Sequence, residues 1–165
     1  MKKYIILLCS GIIAAMFLTS CQPYQAQPQL SPLEIETMQT ESFNVPKRTA
    51  FNATVTVFQN LGYIIQTANF DTGFITASSP QTTDFFGNTS YTKTTAFITS
   101  NNENSAIIRI NFVESTSYYN KNSGNIVNDE PILSPQSYTN AFAKIQQQIF
   151  VMTGMNPVVT PVSAN

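Results

Sequence analysis

The stretch SAIIRINFVESTS, Ser105 to Ser117, restricts the possible folds more than any other part of the chain. Successive side chains of an extended strand point to opposite sides. Ala106, Ile108, Ile110 and Phe112 therefore share one face, and Ile107, Arg109, Asn111 and Val113 share the other. The first set is wholly apolar and has to be covered. The second is mixed, which suits an antiparallel sheet with one face on a core and the other only partly covered.

Two segments have the periodicity to supply the cover. Ser134 can cap a helix, Pro135 fits its first turn, and Tyr138, Ala141, Phe142, Ile145, Ile149 and Met152 form an apolar stripe that runs to Gly154. Lys144, Gln146, Gln147 and Gln148 lie off that stripe and should face water. A second helix is predicted over Pro46 to Leu61, with Phe51, Val55, Phe58 and Leu61 on one side, Pro46 at its start and Gly62 as its stop. Its centre, Ala53-Thr54-Val55-Thr56-Val57, also alternates like a strand; the end signals favour helix. Between the helices, Tyr63 to Ala68 and Phe74 to Ser78 flank Asn69-Phe70-Asp71-Thr72-Gly73 as a β-hairpin. Ser90 to Ser100 joins Ser105 to Ser117 in a second hairpin around Asn101-Asn102-Glu103-Asn104. The order predicts an α+β domain: an antiparallel sheet of about four to five strands with two helices packed on one face.

The N-terminus carries a different kind of signal. Lys2 and Lys3 precede an uncharged, mostly apolar run from Tyr4 to Leu18, the layout of an export signal. The run is shorter than the ~20 residues that cross a ~30 Å hydrocarbon core. Leu18-Thr19-Ser20-Cys21 resembles the lipobox of bacterial lipoproteins, in which the cysteine thiol takes a diacylglycerol, the chain is cut just before it, and the freed amine is acylated. That resemblance implies a signal peptide at residues 1–20 and lipid attachment at Cys21. Cleavage by the ordinary signal peptidase, leaving Cys21 as a free thiol, is the alternative. Each buried CH₂ contributes about 0.8 kcal/mol and one acyl chain binds marginally, so several chains on one residue hold a protein to its membrane. The resemblance also implies an address: an Asp after the cysteine retains such proteins in the inner membrane, so Gln22 points to the outer membrane, facing the periplasm. Cys9 would leave with the signal, and the exported chain would hold its core without disulfides.

About 145 residues would remain, enough for one domain with a real core. Only 10% of the chain is charged, well under the ~25% usual in soluble domains. The bases outside the signal, Lys47, Arg48, Lys93, Arg109, Lys121 and Lys144, are scattered, and nothing there would neutralise a run of phosphates, so nucleic acid is not an expected partner. Pro23, Pro28 and Pro32 punctuate a segment poor in core-forming groups. Residues 21–42 are therefore expected to be a lipidated cysteine and an extended tether, rising ~3.1 Å per residue where polyproline-like. The folded domain is expected over 43–154 and an irregular tail over 155–165.

Three stretches carry a family likeness: Met38-Gln39-Thr40-Glu41-Ser42-Phe43, then Phe58-Gln59-Asn60-Leu61-Gly62-Tyr63-Ile64-Ile65, then Gly73-Phe74-Ile75-Thr76-Ala77-Ser78. With the close at Tyr138-Thr139-Asn140-Ala141-Phe142-Ala143-Lys144-Ile145 and Phe150, they resemble a group of uncharacterised Gram-negative outer-membrane lipoproteins. Glu41 stands where that group usually has Arg, and Asn60 where it usually has Asp. The implied architecture is helix-grip-like, similar to the C-terminal modules of the lipoprotein C subunit of the β-barrel assembly machine; likeness of fold does not carry function.

Residues for chemistry are scarce. The chain has no histidine, which removes the commonest general base, the nucleophile triads that use it and the usual zinc sets. It also lacks a Gly-rich phosphate loop, G-x-S-x-G and HExxH. Asp71, Asp84, Glu103, Glu114, Asp129 and Glu130 remain, with Glu34, Glu36 and Glu41 near the tether. A glycosidase would need two of them facing across a cleft. Asp71 and Glu103 fall in turns and Asp129-Glu130 precedes Pro131, so solvated loop positions are expected, with no catalysis, metal or cofactor. Asn52-Ala53-Thr54 and Asn88-Thr89-Ser90 match a glycosylation pattern that a bacterial lipoprotein seldom uses.

Two aromatic pairs lie outside the periodic elements: Phe85-Phe86, in the loop from Ser79 to Asn88, and Tyr118-Tyr119, at the end of the long strand. Aromatic rings are enriched at interface cores and hot spots. These four residues are the candidate interaction site, for an envelope protein or for a membrane, unless one ring of each pair folds back on the domain. The leading expectation is a lipid-anchored, non-catalytic interaction module at the outer membrane. The alternative is a carrier of a small apolar ligand in a cavity lined by Ile108, Ile110, Phe112, Phe142 and Ile149, and an envelope hydrolase is a distant third.

Overall fold

The computed structural model describes residues 30–154 and the backbone of a short strand at Val159–Thr160. The expected signal peptide, Cys21, Gln22 and the expected tether up to residue 29 lie outside the described residues. In chain order the elements are α1 (Pro32–Gln39), β1 (Thr40–Phe43), α2 (Lys47–Asn60), β2 (Ile64–Asn69), β3 (Phe74–Ser78), β4 (Thr82–Thr83), β5 (Thr89–Asn102), β6 (Ser105–Asn120), β7 (Gly124–Pro131), α3 (Pro135–Thr153) and β8 (Val159–Thr160). The strands form one antiparallel sheet in the order β2-β3-β5-β6-β1-β8, with β4 added to β5 and β7 to β6. The α+β class and the helix-covered sheet agree with expectation. Strands β1, β4, β7 and β8 and helix α1 were not anticipated.

Residues 32–42, expected to be part of an extended tether, form a helix and most of a strand. Ser31-Pro32-Leu33-Glu34 forms a capping box, in which Ser31 Oγ accepts from the Glu34 N–H and Glu34 Oε2 accepts from the Ser31 N–H at 2.7 Å. The helix it starts leads into β1, which pairs with β6 from Thr40↔Arg109 to Phe43↔Ala106. Phe43 is fully buried. The tail also contributes: Val159 and Thr160 pair with Phe43 and Ser42, so 155–165 is not irregular throughout, the rest of it lying outside the described residues.

Segment Lys47–Asn60 is helical despite its alternating β-branched centre. Thr54 and Thr56 donate their hydroxyls to the carbonyls of Ala50 and Asn52 at 2.8 and 2.9 Å, which satisfies these side chains within the helix. Its buried face is Ala50, Phe51, Ala53, Thr54, Val57 and Phe58, rotated from the predicted seam. Val55 is only partly buried and Leu61 is exposed. The small residues at 50, 53 and 54 let the helix approach neighbours on two sides. In α3 the stripe Tyr138, Ala141, Phe142, Ile145 and Ile149 is buried as expected, while Met152 is exposed at the last turn. Ser134 occupies the cap position but makes no side-chain capping bond. Gly154, at φ 70°, closes the helix with its N–H on Phe150 O.

The core lies between α2 and α3 and one face of the sheet. Ile75, Ala96, Ile98, Ala106, Ile108 and Ile110 are all within 1% of complete burial. The outer edge of β6 is shared by two strands from distant parts of the chain: β1 pairs residues 106–109 and β7 pairs 113–120. Where both stop, Ile132 N–H reaches Phe112 O at 2.9 Å, and Tyr138 OH accepts from Phe112 N at 3.4 Å while donating to Ile132 O at 2.9 Å. Beside this junction Gln39 donates to Asn111 Oδ1 at 3.3 Å and accepts from Arg109 at 3.3 Å.

Candidate functional site

Strand β6 has 16 residues, about 53 Å at ~3.3 Å per residue, whereas α3, with 19, is roughly 28 Å long at ~1.5 Å per residue. The strands therefore outrun the helices that cover them. Beyond Phe112 the sheet continues as an arm made of β4, the first residues of β5, the second half of β6, and β7. Register places Thr92 opposite Glu114, Ser90 opposite Thr116 and Thr89 opposite Ser117. Its side chains are mostly polar, with β-branched residues such as Thr92, Val113, Thr116, Ile126 and Val127 that suit strands.

The turn between β4 and β5 is built around Asp84. Its Oδ1 accepts the backbone N–H groups of Phe86 and Asn88, both at 2.9 Å, and its Oδ2 accepts Asn88 Nδ2 at 2.8 Å. The Asn88 amide, helped by backbone N–H groups of the loop, holds the Asp84 carboxyl below its ordinary range. Gly87, at φ 84°, lets the chain reverse where a side chain would be strained. The loop is organised, and it presents two rings to solvent: Phe85 is 97% exposed and Phe86 85%. They touch each other edge to face, with centroids 5.6 Å apart.

Tyr118 and Tyr119, at the far end of β6, occupy opposite faces because strand neighbours alternate. Tyr119 is 76% exposed and Tyr118 37%. Tyr118, Thr82, Asn88, Ser90, Glu114 and Thr116 line an open concavity of about 680 Å³ beside the Phe85-Phe86 loop. The structure thus gathers all four predicted aromatics at one end of the molecule, with neither phenylalanine folded back on the body. Asp84 and Asn88, which shape the site, were named from sequence only as a solvated carboxylate and as part of a glycosylation-like pattern. An acidic residue opening a turn that closes on Gly-Asn was the available signal.

Of the remaining carboxylates, Glu114 and Glu130 are cross-strand partners on β6 and β7. Asp71 and Glu103 sit in turns. Asp129 and Glu130 belong to strand β7 rather than to a loop, and Asp129 pairs with Lys93 at 2.9 Å across the open sheet face. That contact lowers the Asp129 carboxyl and raises the Lys93 ammonium. Glu41, on β1 opposite Ile108, points to the helix side, and burial pushes its carboxyl up. Asn60 is the last residue of α2 and is exposed. Among the described residues, no group of three or more carboxylates or cysteines could hold a metal ion.

The five residues that would line a carrier's cavity are packed instead. Ile108, Ile110 and Ile149 have no accessible surface, Phe142 has 4% and Phe112 5%; a ligand-sized void would leave them in contact with open space. A hollow of about 390 Å³ lies between the sheet and the margin of the helices, lined by Phe112 of that set together with Leu61, Tyr63, Thr92, Ala141 and Lys144 among others. No protein-family model matches the chain, and no curated protein sequence does.

Proposed function

We propose that this chain is a lipid-anchored, non-catalytic envelope lipoprotein that serves as an interaction module at the periplasmic face of the outer membrane, with the arm as its docking element. The observation that carries the reading is the Asp84-tied loop, which keeps two phenylalanines in water although the domain has a core that could have taken them. Exposing large apolar side chains on an ordered loop costs solvation with no gain in packing, and contiguous exposed apolar surface marks interaction sites. The lipobox-like Leu18-Thr19-Ser20-Cys21 supports the anchor, and Gln22 supports the address. Dense packing behind α3 favours a module over a carrier.

The anchor is tested by Cys21→Ala, which should shift the protein from the membrane to the soluble fraction and abolish labelling by fed palmitate. Unchanged fractionation together with an unlabelled natural protein overturns it. Docking is tested with a photoreactive residue at Tyr118 in intact cells. A discrete adduct from Tyr118 and none from Val151, exposed on α3, is expected; identical patterns from both positions would count against the arm.

A further inference from the structure

The tip of the arm exposes aromatic rings and few charges. Two turns end there, Asp84 to Asn88 and the reversal between β6 and β7. Pairing of Thr89 with Ser117 and of Asn120 with Gly124 brings them to the same end of the sheet. Phe85 and Phe86 protrude from the first. Lys121 is exposed on the second, with Tyr119 on the strand leading into it. The acid at this end, Asp84, directs its carboxylate into its own loop, onto two backbone N–H groups and the Asn88 amide. Glu114 and Glu130 pair with each other, and Asp129 with Ser115, further back along the strands. The tip thus carries one anion, the Asp84 carboxylate satisfied by donors of its own loop, and one exposed cation, Lys121.

Phenylalanine prefers hydrocarbon, tyrosine the interface where its ring is buried and its hydroxyl wet, and lysine the level of the phosphates. The tip carries all three. Two edge-to-face rings on an exposed loop need a matching hollow in a protein, whereas a fluid bilayer takes up exposed apolar side chains without one. We infer that the tip inserts Phe85 and Phe86 into a lipid bilayer surface, with Tyr119 at the headgroups and Lys121 against anionic lipid phosphate. This goes beyond the module reading and rests on its anchor: two rings alone bind weakly, and a tether to the same bilayer makes the second contact intramolecular. The concavity beside the tip is lined by Thr116, Tyr118 and Tyr119.

The chain contains no tryptophan, so Phe85→Trp installs a single reporter. The lipidated full chain would be reconstituted into phosphatidylethanolamine–phosphatidylglycerol vesicles with and without brominated acyl chains. The expected result is emission moved to shorter wavelength and loss of most of the intensity to the brominated lipid, with neither change for Val151→Trp. Adding Lys121→Glu to Phe85→Trp should weaken the quenching. Emission from Phe85→Trp as in water and unquenched overturns the proposal, as does a shift that arises only when outer-membrane proteins are added, which would assign the rings to a protein pocket and leave the module reading standing. A chain that fails to float with the vesicles overturns the anchor and this proposal together.

Discussion

Strands β5 and β6 run through two regions that share a ladder and little else. In the lower half, Ala96 faces Ile110 and Ile98 faces Ile108, and all four are buried beneath α2 and α3. In the upper half, Thr92 faces Glu114 and Ser90 faces Thr116, and no buried apolar side chain occurs beyond Phe112. The ladder is continuous across the boundary, so backbone pairing alone extends the sheet once its base is fixed by burial. Hydrophobic burial supplies most of the stability of a domain, and the arm depends on the body for its order. The body in turn leaves the arm free to expose rings that no core residue could expose.

Substitutions along the same strand should break this symmetry most plainly. Ile110→Ala, in the body, should lower unfolding stability by about 2–5 kcal/mol. Thr116→Ala, in the arm, should change it by less than about 0.5 kcal/mol; both would be read from urea midpoints at constant slope. Equal losses would mean that the arm is part of the core. Gly73→Ala comes next. Gly73 has φ 78°, and an added Cβ would collide with the backbone carbonyl of Ile98. Strain of this kind costs about 1–3 kcal/mol before the collision is added, and the hairpin of β2 and β3 should lose hydrogen-exchange protection first.

A smaller effect has a definite sign. Burial raises the folded-state carboxyl of Glu41 above its ordinary value, so the folded protein holds that proton more tightly than the unfolded chain. Its contribution is most favourable below the unfolded value and is lost as pH rises through the folded one. Glu41→Gln should therefore raise the urea midpoint at neutral pH and lose that advantage in acid. A gain independent of pH would show that the carboxylate is not the cause. The smallest effect on stability is expected from the double change Phe85→Ser and Phe86→Ser, within about 0.5 kcal/mol, although it removes the surface on which the proposed docking depends. A large drop in melting temperature would show that the rings support the fold.

The periodic elements were legible because local sequence and burial agree in them. The alternation from Ala106 to Phe112 and the stripe from Tyr138 to Ile149 each describe one face of one element, and the same faces are buried. Helix α1 was obscured by its setting: its capping box is written plainly as Ser31 and Glu34, but three nearby prolines and a weak apolar stripe read as tether. Strand β7, GNIVNDEP, has too few apolar residues to signal a strand, and pairs because the long edge of β6 needs a partner. Pro131 ends it on an outer edge, where a missing donor is tolerated. The four aromatics were visible as candidates, but not the loop that aims two of them outward.

By itself, the sequence determined that a strand with one greasy face would be covered by amphipathic helices, because side-chain periodicity is a property of the local backbone. It also determined that the chain had no histidine to offer and carried a lipobox-like cysteine. Only the tertiary structure decided that β1 and β7 divide the edge of β6, that the sheet outruns its helices, and that Phe85, Phe86, Tyr118 and Tyr119 lie at the same end of the sheet. Those outcomes depend on contacts between residues far apart in the chain, and no local pattern encodes where a covering helix stops relative to the strand beneath it.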